Sequence, residues 1–205
     1  MRVHVSIMPL TDHIAIYGGS FNPPHVGHQA ACLWLLSALN AKRVLVAPTF
    51  RHFYGKDLAD FNHRVEMCKI MVRPLYNRVT DRVSAVVSNI EKDLPLPNTT
   101  LNLVKGLKIV YGDNAKLAVV IGSDLVPDLH KWDGWAEVAA MTKIVAVGRA
   151  GFKDTETPLN IYQYPVKLIE ISSSEIRKKI TNKEPITGLV SHDVEKYIYE
   201  NNIYP

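Results

Sequence analysis

Residues 17–28 read YGGSFNPPHVGH, with His25 and His28 three positions apart where an apolar run turns into a helical pattern. Gly18 and Gly19 let the backbone bend sharply and approach a ligand closely. Pro23 and Pro24 stiffen the turn, and Pro24 suits the first turn of a helix. A three-residue spacing there sets both imidazoles on one face, beside free N–H groups and the positive end of the helix dipole. That combination suits a phosphate whose negative charge grows during reaction. Gly27, between the histidines, removes a side chain that would obstruct such a group. A bound metal would require a third ligand of suitable type nearby, and none stands there, so no metal site is expected.

A second stretch, EISSSEIRKKI at 170–180, carries the same chemistry in other residues. Ser172 and Glu175 fit a capping box, which predicts a helix starting directly after a strand. Ser172, Ser173 and the free N–H groups form an anion cup, with Arg177 in the first turns. Two common nucleotide signatures are absent. The residues around Lys56 (YGKD) lack the first glycine and the hydroxyl residue of a P-loop, and no G-x-G-x-x-G follows the first apolar run.

These groups must be held by a scaffold. Strands are predicted at 14–17, 43–48, 83–87, 116–122, 143–148 and 165–171. Helices are predicted at 26–40 with Asn40 as its C-cap, 61–73, 98–111 capped by Asn98 or Thr99, 124–130, 135–140, 173–180 and 191–201. The strands are continuous Val/Ile/Leu runs that alternate with helices, the pattern of a parallel sheet covered on both faces. The expected fold is α/β, a Rossmann-like doubly wound parallel sheet in a single domain over 1–205. Ligands of such sheets sit beyond the carboxyl ends of the strands. The polar segments 18–28, 48–56, 122–124 and 172–174 should therefore share one rim. The segment 150–164 reads as a polar flap or surface connection.

The chain has 205 residues, 47% of them hydrophobic, and a formal charge of +4. That bias suits a small anionic substrate and is too weak and dispersed to imply nucleic acid. Cys32 and Cys68, both in apolar helical patterns, read as reduced core residues. No run approaches the ~18 apolar residues of a membrane span, and no secretory signal is visible. A cytoplasmic enzyme without nucleic-acid or membrane partners is expected, and self-association into a homo-oligomer stays open.

GGSFNPPHVGH, followed late in the chain by ISSSEIR, resembles the H-x-G-H nucleotidyltransferases, and among them the nicotinate (or nicotinamide) mononucleotide adenylyltransferases. The resemblance runs over roughly 14–204. IGSDLVPDLHKWDGW at 121–135 adds Gly122 and Asp124, which the resemblance places on the ATP ribose, and Trp132, which it stacks on the pyridine ring. FNHRVEMCKIM at 61–71 resembles the family's H-R helix start, with Arg64 in the usual place.

The implied reaction joins ATP, carried with Mg2+, to a pyridine mononucleotide, releasing pyrophosphate. The mononucleotide phosphate attacks the α-phosphorus in line. His25, His28 and Arg177 are the catalytic candidates. Gly18, Gly19, Ser20, Phe21, Gly27, Lys56, Gly122, Asp124, Ser172 and Ser173 complete the ATP side; His52 is a weaker cation. Asn22, His25, Thr99, Thr100 and Trp132 are expected on the mononucleotide.

Two departures bear on the acceptor. Asn22 stands where the family usually has Asp. LPNTTLNL replaces a Ser/Thr-Tyr-Thr stretch, so the Tyr is missing. The preferred acceptor is nicotinate mononucleotide, because the Thr99–Thr100 helix start offers N–H donors to a carboxylate. Nicotinamide mononucleotide, phosphopantetheine or another small phosphate is the alternative, as is a regulator that binds nucleotide without turnover.

Overall fold

A computed structural model describes residues 9–51, 57–75, 85–148, 161–164 and 171–205. Six parallel strands form one sheet: β1 (Ile14–Gly19), β2 (Arg43–Pro48), β3 (Ala85–Val87), β4 (Leu117–Gly122), β5 (Lys143–Val147) and β6 (Ile161–Tyr164), in the spatial order β3-β2-β1-β4-β5-β6. The chain moves outward from β1 to β3, then returns to β1's other side with β4. That reversal leaves a crevice at the carboxyl ends of β1 and β4, the place where doubly wound sheets bind ligands.

The helices are α1 (Val26–Ser37), α2 (Phe61–Val72), α3 (Thr100–Tyr111), α4 (Trp135–Met141), α5 (Ser173–Thr181) and α6 (His192–Glu200). Single 3-10 turns at Arg73–Leu75 and Ile90–Lys92, and a longer 3-10 segment at Ser123–Lys131, complete the described elements. The strands are apolar on both faces because each face has its own core. On one side Val44, Val46, Val120 and Val145 pack with Cys32 and Leu35 of α1, Met67 and Met71 of α2, Ile176 of α5 and Val194 of α6. On the other, Leu45, Val119, Ile121 and Ile144 pack with Leu103 and Leu107 of α3 and Val138 of α4. Cys32 and Cys68 are free thiols inside the first core. Among the described residues no helix is long and apolar enough to cross a membrane.

Several boundaries differ from expectation. α1 stops at Ser37, with Ala38 as its C-cap, not Asn40; Asn40 takes the left-handed conformation (φ 51°) beyond it, so its tolerance of that region shapes the turn into β2. α3 is capped by Thr99, whose Oγ1 accepts the N–H of Asn102 at 3.2 Å. The sixth strand is Ile161–Tyr164, inside the segment expected to be a polar connection; its parallel pairing with β5 supplies the order that its pattern lacks. The expected strand at 165–171 lies outside the described residues up to position 170. Ser172 does occupy the N-cap of α5, but its side chain makes no capping bond, so the capping box with Glu175 is not formed.

Candidate active site

β1 ends in two glycines and the chain then turns tightly. Phe21 adopts a left-handed φ of 46°, which side-chain-bearing residues rarely take. The turn seats the buried Phe21 ring edge-on to His28, with centroids 4.9 Å apart. His25 is the N-cap of α1, extended at φ −141°, and is only 7% exposed. Its ring stacks on His28 with centroids 3.6 Å apart and planes 26° from parallel. The backbone N–H of His25 donates to His28 Nδ1 at 3.1 Å. An Nδ1 that accepts must lack a proton, so the neutral His28 ring carries its hydrogen on Nε2. Two imidazoles three residues apart thus become one preorganised donor face at a helix start.

Two cavities open on the rim. The first, of about 660 Å³, is walled by His25, Gly27 and His28 of the α1 start, Gly122 and Asp124 after β4, and Ser172 at the α5 start. Two helix N-termini therefore open on it, both favouring anions. The second, of about 640 Å³, is walled by Gly19 and Ser20 after β1, Thr99 and Thr100 at the α3 start, Glu91, and Trp132. Gly18 and Gly122 border both.

The structure thus gathers most of the expected residues at one rim and divides them between two chambers. Phe21, Asn22, Ser173 and Arg177 are not in either wall. Instead they brace the histidine turn. Arg177 Nη1 donates to the Asn22 carbonyl at 2.7 Å, and Ser173 Oγ donates to the Pro23 carbonyl at 2.9 Å. The Asn22 side chain is 2% exposed and bonded within the protein. Lys56 and His52 lie outside the described residues.

Arg64 is a brace of a different kind. It is 1% exposed, and its guanidinium donates to the carbonyls of Ala59 (2.8 Å), Ser20 (3.0 Å), Thr49 (2.7 Å) and Phe50 (3.4 Å). One side chain ties the turn after β1 to the turn after β2 and to the start of α2. Burial lowers its pKa.

Sequence reasoning missed Glu91, Tyr17 and Leu125. Glu91 is buried in the second wall and accepts the Phe50 N–H at 2.9 Å. Burial pushes its carboxyl up to about 7, against the opposing pull of that hydrogen bond and of Arg64. Its only sequence signal is a carboxylate in the link between the third strand and third helix. Tyr17 and Leu125 line both cavities, although the sequence pattern marks them only as members of a strand and a helix. Trp135, the other tryptophan of that stretch, packs partly buried against the α3 side core.

The arrangement can hold two phosphorylated molecules against a shared wall, with a histidine pair on one of them. Known proteins resemble the chain over most of its length. Residues 16–179 match the cytidylyltransferase-like family. A probable nicotinate-nucleotide adenylyltransferase of Anaeromyxobacter sp. (strain K) is 35% identical over 191 residues, 93% of this chain and 96% of that one. The nicotinate-nucleotide adenylyltransferase of Bacillus subtilis (strain 168) is 31% identical over 193 residues, 93% of this chain and 97% of that one. In fold, the chain superposes on Plasmodium falciparum nicotinic acid mononucleotide adenylyltransferase complexed with NaAD with a TM-score of 0.76 at 23% identity, covering 94% of this chain and 97% of that one.

Proposed function

We infer the reaction from one premise: the chain belongs to the cytidylyltransferase-like family and, within it, to the nicotinate-nucleotide adenylyltransferases. It transfers the adenylyl group of ATP to nicotinate mononucleotide, giving deamido-NAD and pyrophosphate, a step of NAD biosynthesis. The observation that carries this reading is the pair of cavities with a common wall at the β1–β4 crevice, one of them floored by the stacked histidines.

ATP, entering with magnesium, takes the first cavity. There Asp124 accepts a ribose hydroxyl, and Ser172 and the α5 N-terminus take the phosphates, a reading supported by Asp124 and Ser172 lining the same cavity. Nicotinate mononucleotide takes the second cavity, its ring against Trp132 and its carboxylate toward the N–H groups at the start of α3. The mononucleotide phosphate oxygen forms a bond to the α-phosphorus while the bond to the bridging oxygen of pyrophosphate breaks. No residue is consumed. His25 and His28 donate to the phosphate oxygens as charge spreads over them, and positioning does the rest. Arg177 reaches the leaving phosphates only if it swings from the Asn22 carbonyl; in its present position it braces the turn.

The test is pyrophosphate release with ATP and a panel of acceptors: nicotinate mononucleotide, nicotinamide mononucleotide and phosphopantetheine. Nicotinate mononucleotide is expected to be preferred over the amide by about 10-fold or more in kcat/KM, since each 1.4 kcal/mol of lost pairing is one decade. Equal use of the two pyridine substrates would mean that the Thr99–Thr100 start does not read the carboxylate.

A further inference from the structure

We propose that Tyr204 is a positioning residue for the histidine turn, acting through Asn22 to hold the backbone that stacks His25 on His28. The inference rests on the reaction assigned above. Tyr204 lies 182 positions from Asn22, yet its hydroxyl donates to Asn22 Oδ1 at 2.8 Å. That oxygen also accepts the Ala59 N–H at 3.0 Å, and Asn22 Nδ2 donates to the Asp57 carbonyl at 3.4 Å. With Arg177 on its own carbonyl, Asn22 is gripped on every polar atom except its N–H. It can reach neither cavity, so whatever it contributes to chemistry passes through the chain it holds.

Two further facts point to the same role. Phe21 and Tyr204 both sit in the left-handed region, at φ 46° and 65°. Side-chain-bearing residues persist there only when their surroundings over-determine them, and such strain gathers where geometry matters. The bond joins one of these residues, Tyr204, to the residue that directly follows the other, Phe21. Burial also pushes the Tyr204 hydroxyl well above its ordinary pKa, so it stays a proton donor throughout the working range. The same grip accounts for an amide at position 22: a carboxylate would set an oxygen against the Asp57 carbonyl in place of a donor.

The experiment is Tyr204→Phe, which removes the hydroxyl and keeps the ring. With ATP and nicotinate mononucleotide, kcat is expected to fall about tenfold while both KM values stay within about twofold, the pattern of an interaction that matters only in the transition state. The double variant with Asn22→Ala is expected to be no slower than Asn22→Ala alone, because the two groups act as one unit. Independently of turnover, ¹⁵N shifts of the His28 ring are expected to show an accepting Nδ1 in the wild type and a loss of that fixed tautomer in Tyr204→Phe. An unchanged kcat, independent effects of the two substitutions, or unchanged ¹⁵N shifts in the variant would overturn the proposal. A wild type inactive on this substrate pair would overturn the assigned reaction, and the ¹⁵N comparison would still decide the role of Tyr204.

Discussion

His28 Nδ1 accepts the backbone N–H of His25 at 3.1 Å, so the first turn of α1 chooses the tautomer of its own catalytic candidate. The remaining nitrogen, Nε2, carries the hydrogen that a phosphate oxygen can take. His28→Ala is therefore expected to lower kcat by roughly 10²-fold, the usual effect of losing a preorganised donor. Gln places an amide N–H near the reach of Nε2, whereas Asn mimics only the Nδ1 position. Steady-state kinetics should thus show His28→Gln well above His28→Asn. Equal rates for the two would mean that Nε2–H is not the working donor.

Arg64→Lys is expected to be a severe substitution despite keeping the charge. A compact ammonium cannot reproduce the planar fork that reaches carbonyls on three separate segments, and those left without a donor are partly buried. The cost is roughly 3 kcal/mol, on the scale of one to a few unsatisfied buried groups. Urea denaturation measures it; a loss below about 1 kcal/mol would show that the turns hold their places without the guanidinium fork.

Glu91 gives the fold a pH dependence of definite sign. Its carboxyl is raised from 4.5 to about 7 in the folded protein. Between those values the unfolded chain has already released the proton that the folded one keeps, so stability falls as pH rises through that window and levels off above it. The shift corresponds to a few kcal/mol, on the order of 3. Glu91→Gln keeps an oxygen for the Phe50 N–H and removes the titration. Thermal melts should show the variant gaining on the wild type between pH 5 and pH 8; a constant difference across that range would refute the buried titration.

Gly122→Ala tests the approach of Asp124 to the first cavity. A β-carbon at position 122 would collide with Asp124 Oδ1, a contact that can be relieved only by moving the carboxylate. KM for ATP is expected to rise several-fold while KM for the mononucleotide changes little, on the reading that Asp124 holds the ATP ribose in the ground state as well as the transition state. An unaltered KM for ATP would remove Asp124 from that role.

The strands were legible because a sheet buried on both faces demands unbroken apolar runs, and β2, β4 and β5 end within a residue or so of where those runs end. The histidine pair was legible because helix geometry puts three-residue neighbours together. Asn22 was not. Its type and place in the turn suggested a ligand contact, but Asp57, Ala59, Tyr204 and Arg177, none of them adjacent in the chain, have taken up its hydrogen-bonding groups. Glu91 was invisible for a similar reason: only the fold brings the Phe50 N–H and Arg64 to it. β6 was missed because IYQY lacks the aliphatic run of its neighbours and gets its order from β5.

The wall common to the two cavities, from Tyr17 and Gly18 of β1 to Val120, Ile121 and Gly122 of β4, has a consequence for how a turnover ends. On the proposed assignment, the substrates arrive as two molecules, one to each chamber. The dinucleotide leaves as one molecule astride the partition, and once one half lets go, the other keeps it at high local concentration for recapture. Detachment, not bond making, is then expected to pace the cycle. Rapid mixing with both substrates should show a burst of about one dinucleotide per enzyme before the slower steady rate; a linear onset would put the slow event at or before transfer.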